Sequence, residues 1–193
     1  MAHARALLLA GGRSTRFGGA KLLVPFRGRP LVAHAAGALI EAGLHPLAVV
    51  GLGQAALASA LEALGCEVLE TDRVASGMGA SLAAGVEATA EAPGWIVALA
   101  DMPLIQAGTI RAVNAALASG AAIAVPVERA SGRRGHPVGF AASMRQALLA
   151  LDGDVGARGI VERHAGEVVS VPVDDAGITA DVDTADDLDR LGS

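Results

Sequence analysis

LLLAGGRSTRFGGAK, residues 7–21, sets the frame for the whole chain. The apolar run from Ala6 to Ala10 is short enough for a buried parallel strand. It breaks into Gly11-Gly12 and then Gly18-Gly19, with Arg13, Arg16 and Lys21 as cations and Ser14 between them. Glycine lets main-chain N–H groups approach an anion, and Arg and Lys neutralise its charge. The pattern predicts a nucleoside triphosphate site rather than a plain strand-to-helix turn. Two familiar phosphate loops do not fit. A Walker A loop needs Lys directly after its second glycine and then Ser or Thr, but Ala20 precedes Lys21 and Leu22 follows it. The dinucleotide fingerprint needs G-x-G-x-x-G, which Gly11, Gly12 and Gly18 do not supply.

Outward from this loop, strand and helix signals alternate. Pro30 opens a helix that Gly43 stops. Residues 47–50 read as a strand, 54–64 as a helix stopped by Gly65, and 67–71 as a weaker strand. A polar loop then feeds a helix over residues 81–91, where Ser81 fits either a base or ribose contact or a simple N-cap. WIVALA, residues 95–100, is the strongest strand signal, and it ends on Asp101. Open α/β sheets bind ligands at the carboxyl ends of their strands. A carboxylate there, beside a triphosphate, suits Mg²⁺ better than a helix cap.

The second half is less regular. Residues 108–118 read as a helix and 121–127 as a strand. The loop over 128–135 carries Arg129, Arg133 and Arg134, and fits either a second anionic substrate or a solvated turn. Helices are expected over 141–151 and 155–164, and strands over 168–173 and 178–182. The strands around Val138 and Val168 are expected as antiparallel additions. Asp181 and Asp183 then share one strand face, as a second metal carboxylate or as an acidic strand end. Thr184 and Asp187 form a capping box for a last helix. The whole is an α/β chain, a mostly parallel central sheet with helices on both faces, in one domain over residues 1–193.

The totals restrict the partners. A net charge of −5, one Trp, three Phe and no Tyr argue against a general nucleic-acid or anionic-membrane surface. Any anion site is local. Cys66 is the only cysteine, so no intrachain disulfide forms, and a reducing cytoplasmic location is expected. Nothing in its surroundings activates it, which predicts a buried structural thiol. Neither a leader peptide nor a membrane span is expected.

Six segments carry a family resemblance: the opening LLLAGGRSTRFGGAKLLVPFRGRPLVAH, then SGMGASLAAGV, ALADMPLI, GRRGHPVGF, LDGDVGARGIV and ITADVDTADDL. Together, and in this order, they resemble the molybdenum cofactor cytidylyltransferases within the MobA-like nucleotidyltransferases. The resemblance implies a Rossmann-like nucleotidyltransferase fold and transfer of a nucleoside monophosphate from CTP or GTP to a molybdopterin-type phosphate, with release of pyrophosphate. It implies that the loop of Leu9, Ala10, Gly11, Gly12, Arg13 and Ser14 wraps base and phosphates, and that Arg16 and Lys21 hold the triphosphate. It further implies Asp101 and Asp183 as ligands of Mg²⁺, and Arg134, Gly135, His136 and Pro137 as a wall facing the acceptor. A molybdoenzyme or its chaperone is an implied partner. Two departures stand out. Gly11 replaces the alanine usual among the cytidylyltransferases and looks like the guanylyltransferase side, whereas GRRGHPV and GDVGAR look like the cytidylyltransferase side. Ala185 replaces the usual proline after DVDT. A cytidylyltransferase for another small phosphate and a non-catalytic molybdoenzyme chaperone remain as alternatives.

Overall fold

The computed structural model describes residues 4–11 and 21–192. The first half holds β1 (Arg5–Leu9), β2 (Pro25–Phe26), β3 (Arg29–Pro30), α1 (Leu31–Glu41), β4 (Pro46–Gly51), α2 (Ala55–Ala63), β5 (Glu67–Thr71) and α3 (Met78–Ala88). The second holds β6 (Gly94–Leu99), α4 (Ala107–Ala118), β7 (Ile123–Glu128), β8 (Val138–Ala141), α5 (Arg145–Leu149), α6 (Arg158–Arg163), β9 (Val168–Val173) and α7 (Ala185–Gly192).

Seven strands form one sheet in the order β5-β4-β1-β6-β8-β7-β9, with β2 and β3 as a small separate hairpin. β1 pairs in parallel with β4 and β6, β4 with β5, and β7 with β9. β8 is the reversed strand, antiparallel to both neighbours. Helices cover both faces, which is why β1, β4 and β6 read as unbroken apolar runs. Alternate side chains divide between them. Leu8, Val50 and Ile96 join one core with Leu31 and Leu39 of α1 and Ile110 of α4. Leu7, Val49, Trp95 and Val97 join the other with Leu82 of α3, Leu148 of α5 and Ile160 of α6.

The topology places the site. From β1 the chain builds outward through β4 to β5, then returns to lay β6 on the other side of β1. Such a reversal opens a crevice at the carboxyl ends of the two strands. The glycine-rich loop after β1 and the Asp101 turn after β6 both start there.

Four local expectations are corrected. First, β9 runs parallel to β7, not antiparallel. β9 is an edge strand with Val169, Ser170 and Pro172 exposed, and its apolar pattern reports which face is covered, not which way the chain runs. Second, residues 178–182 are not a strand. The chain turns through a 3-10 segment, Ala176–Thr179, capped by the buried carboxylate of Asp175. Asp175 accepts from Gly177 N at 2.9 Å, and also from Gln106 N at 2.9 Å and Thr109 Oγ1 at 2.6 Å, which locks the turn onto the start of α4. Asp181 and Asp183 are therefore not positioned by strand alternation. Third, α3 begins at Met78, so Ser81 lies inside it and is not its N-cap. The expected helix over 141–151 also splits into a 3-10 turn and α5.

Other features match. Gly43 and Gly65 take positive φ, 83° and 89°, after α1 and α2. The capping box of α7 is formed: Thr184 Oγ1 accepts from Asp187 N at 3.2 Å, and Asp187 Oδ2 accepts from Thr184 N at 2.9 Å. Cys66 is buried, and burial pushes its thiol up to about 11. No helix among the described residues is long and apolar enough to cross a membrane.

Candidate functional site

Lys21 opens a short 3-10 turn, Lys21–Leu23, and its side chain is 11% exposed. Its Nζ donates to Asp101 Oδ2 at 2.9 Å and to the Val182 carbonyl at 2.7 Å, and lies 3.5 Å from Asp183 Oδ1. Three residues singled out from remote parts of the sequence thus converge on one point. A main-chain bond from Val182 N to the Asp101 carbonyl, 2.9 Å long, ties the C-terminal segment to the turn after β6. Both carboxylates face the same ammonium, so they can be no further apart than those two contacts laid end to end. They are close enough to share a divalent ion directly or through water.

The donor set also suits such an ion. Mg²⁺ takes hard oxygen ligands, and one or two carboxylates commonly suffice when phosphates and waters complete the shell. Among the described residues, no group of three or more His, Cys, Asp or Glu forms a larger cage. A cation, the Lys21 ammonium, already stands between the two carboxylates. Asp101 and Asp183, rather than Asp181, are the pair so placed.

Gly12, Arg13, Ser14 and Arg16 lie outside the described residues. Leu9 and Ala10 are buried at the end of β1, and Ala10 N donates to the Val49 carbonyl at 3.0 Å. Gly11 has a steric reason: a Cβ there would stand 2.5 Å from Val74 Cγ1. Ser81 is buried and bonds along its own helix, its Oγ donating to the Gly77 carbonyl at 2.8 Å and its N–H to the same oxygen at 3.0 Å. Gly79 N donates to the Gly153 carbonyl at 2.8 Å, so the loop before α6 lies against the start of α3.

The expected acceptor wall sits beside the carboxylates. Arg134 is exposed and Pro137 buried. Gly135 N donates to the Pro126 carbonyl at 3.1 Å, and His136 N to the Ile178 carbonyl at 2.9 Å. His136 lines a cavity of about 500 Å³ between the sheet and helices α3 and α6, walled by Leu9, Leu82, Val97 and Phe140. Its Nδ1 is buried and has no hydrogen-bond partner. Burial lowers the pKa of the ring, against the Val97 carbonyl and the Asp101 and Asp181 carboxylates, which pull it up.

A pH dependence follows. The folded pKa of His136 lies below 6.5, the ordinary value for a histidine. Above that value both states are neutral and the group contributes no slope. Below it the unfolded chain takes up a proton that the folded chain resists, so stability falls as pH drops toward the folded pKa. Melting temperature is expected to decline more steeply in the wild type than in His136→Gln between about pH 7 and about pH 5.5, the range in which histidine titrates. Equal slopes would place the ring in water.

Sequence reasoning missed Val182, Val74 and Asp175. Val182 acts through its main chain, which no side-chain pattern reports. Val74 and Asp175 matter through what they touch. A signal did exist for Asp175, since Asp175-Ala176-Gly177 suits a turn with a carboxylate cap. Nothing in it distinguishes buried Asp175 from exposed Asp174.

Three comparisons bear on these features. A family model described as a MobA-like NTP transferase domain matches residues 6–168. The chain is 31% identical to a nicotine blue oxidoreductase of Paenarthrobacter nicotinovorans, covering 96% of this chain and 94% of the relative. It is 34% identical to a molybdenum cofactor guanylyltransferase of Cupriavidus metallidurans, covering 94% and 91%. Among solved structures, Rv0371c from Mycobacterium tuberculosis H37Rv superposes with a TM-score of 0.87 at 28% identity, over 100% of this chain and 98% of that one. The same protein has been solved in complex with manganese, with a TM-score of 0.80 at 26% identity over 98% of each chain.

Proposed function

Because the chain belongs to the MobA-like NTP transferase family, we propose that this nucleotidyltransferase moves CMP from CTP to the phosphate of a molybdopterin-type acceptor and releases pyrophosphate. The observation that most supports this is the meeting of Lys21, Asp101 and Asp183 where the strand order reverses. A phosphate oxygen of the acceptor attacks the α-phosphorus in line. The bond from that phosphorus to the bridging oxygen breaks, and pyrophosphate leaves with the electron pair. The attacking phosphate is already ionised, so no general base is required. Two anions must meet, and catalysis is chiefly positioning and charge neutralisation. Arg16 and Lys21 take the triphosphate, and Arg134 to Pro137 face the acceptor. Asp101 and Asp183 would hold Mg²⁺, which when bound offsets charge on the phosphates. Cys66, with its thiol near 11, is no candidate for a covalent intermediate.

Base choice turns on Gly11. The double glycine looks like the guanylyltransferase side, and one relative is named for that activity. Yet position 11 has a packing reason to be glycine, because Val74 occupies the space of a Cβ. Its value as a marker of the base is reduced, and the GRRGHPV and GDVGAR segments favour CTP. Pyrophosphate release should therefore be faster with CTP than with GTP, by about tenfold or more in kcat/KM. A preference for GTP would overturn the assignment of the base and leave the transfer chemistry standing.

A second reading comes from the full-length relative named as an oxidoreductase. It predicts redox turnover of nicotine blue without pyrophosphate release. The same assay, run with each nucleoside triphosphate and a molybdopterin-type acceptor, separates the two.

A further inference from the structure

The chain has fifteen basic residues counted as Lys plus Arg, and Lys21 is the one lysine among them. That lysine is nearly buried, and its ammonium is surrounded by the two carboxylates and a carbonyl. An ammonium has three N–H donors, and three acceptors surround this one. Arginine would not substitute, because its planar fork is built for bidentate pairing rather than for three oxygens closing on a point. The nitrogen sits 2.9 Å from Asp101 Oδ2. An ion such as Mg²⁺ held by both carboxylates would have to stand where the ammonium stands, between Asp101 Oδ2 and Asp183 Oδ1. Two cations cannot share that place.

We propose that the Lys21 ammonium is a built-in counter-ion that fills the divalent-cation seat of the nucleotide-free protein and must leave before a metal can enter. A triphosphate supplies competing anionic oxygens for the ammonium, so metal and nucleotide enter together rather than metal first. The nucleotide half of this rests on the function proposed above. The occupancy of the seat does not.

The first test uses Mn²⁺ alone, with no nucleotide. Binding is followed by electron paramagnetic resonance for the wild type, for Lys21→Met, which keeps the length of the stem, and for Lys21→Met combined with Asp101→Asn. The expected result is at least tenfold tighter Mn²⁺ binding in Lys21→Met, lost again in the double variant. Equal or weaker binding in Lys21→Met would overturn the proposal. The second test needs no variant. In protein made with [ε-¹³C]lysine the side-chain signal belongs to Lys21 alone. It should stay in place with Mg²⁺ alone and shift when CTP or GTP is added with Mg²⁺. A shift with Mg²⁺ alone at the same concentration would overturn the proposal even if Lys21→Met failed to fold. Tight Mn²⁺ binding in Lys21→Met, with a lysine signal that no nucleotide moves, supports the counter-ion and counts against nucleotidyl transfer.

Discussion

Asp101→Asn is expected to lower the rate of nucleotidyl transfer about 10²–10³-fold, the usual cost of removing one group that stabilises charge in a transition state. The substitution keeps shape and volume. Asp101 also contributes its carbonyl, which accepts from Val182 N, and that bond survives. Lys21 keeps Val182 O and Asp183 as partners, so the fold should hold. What disappears is one negative charge from a seat that has two. Triphosphate binding should persist in part through Arg16 and Lys21, so the loss falls on kcat more than on KM. Asp183→Asn should lose less, because its side chain is 50% exposed against 27% for Asp101 and stands further from the ammonium. The measurement is pyrophosphate release against Mg²⁺ concentration for each variant. An Asp101→Asn rate equal to wild type would remove the carboxylate from the chemistry.

Gly135→Ala is expected to produce the largest loss of stability at any single methyl. An added Cβ would press into the Ile178 carbonyl, approaching its carbon to 2.6 Å and the Ile178 Cβ to 2.8 Å. Main chain stands in the way, not the end of a flexible side chain. The segment cannot slide, because Gly135 N and His136 N are both bonded across it. Overpacking of this kind costs about 3 kcal/mol. For a chain of this size that lowers the melting temperature by roughly 6–12 °C. Gly37→Ala is the control. Nothing lies within 4 Å of a Cβ there, and the position is in the middle of α1. It should be stabilised by roughly 0.5–1 kcal/mol. If Gly135→Ala melts like wild type, the backbone yields and the wall at His136 is softer than its contacts indicate.

How far the sequence led depends on the kind of information each feature carries. β1, β4 and β6 were legible because a parallel strand covered on both faces must be apolar throughout. The ends of α1 and α2 were legible because Gly43 and Gly65 supply a conformation other residues resist. Asp101 was legible because it follows such a strand. The reversed direction of β8 at Val138 was expected and is found, whereas the parallel run of β9 and the turn at Ala176–Thr179 were not legible, since hydrophobic alternation does not encode a partner. Ile178 and Val182 are both fully buried, as a strand would have them, yet Asp175 turns the backbone away from the sheet. Asp183 was named by the family resemblance and by a strand face that does not form, and it reaches Lys21 from a segment outside the sheet.

The tie between Val182 and the Asp101 turn has a consequence for the order in which the molecule becomes competent. The last strand of the sheet ends at Val173, so Val182 and Asp183 lie in a segment that adds no strand. A folding chain can build the sheet, with Lys21 and Asp101 in place, before that segment docks, and until it docks the cation seat lacks its carbonyl and its second carboxylate. The molecule is shaped before it is armed.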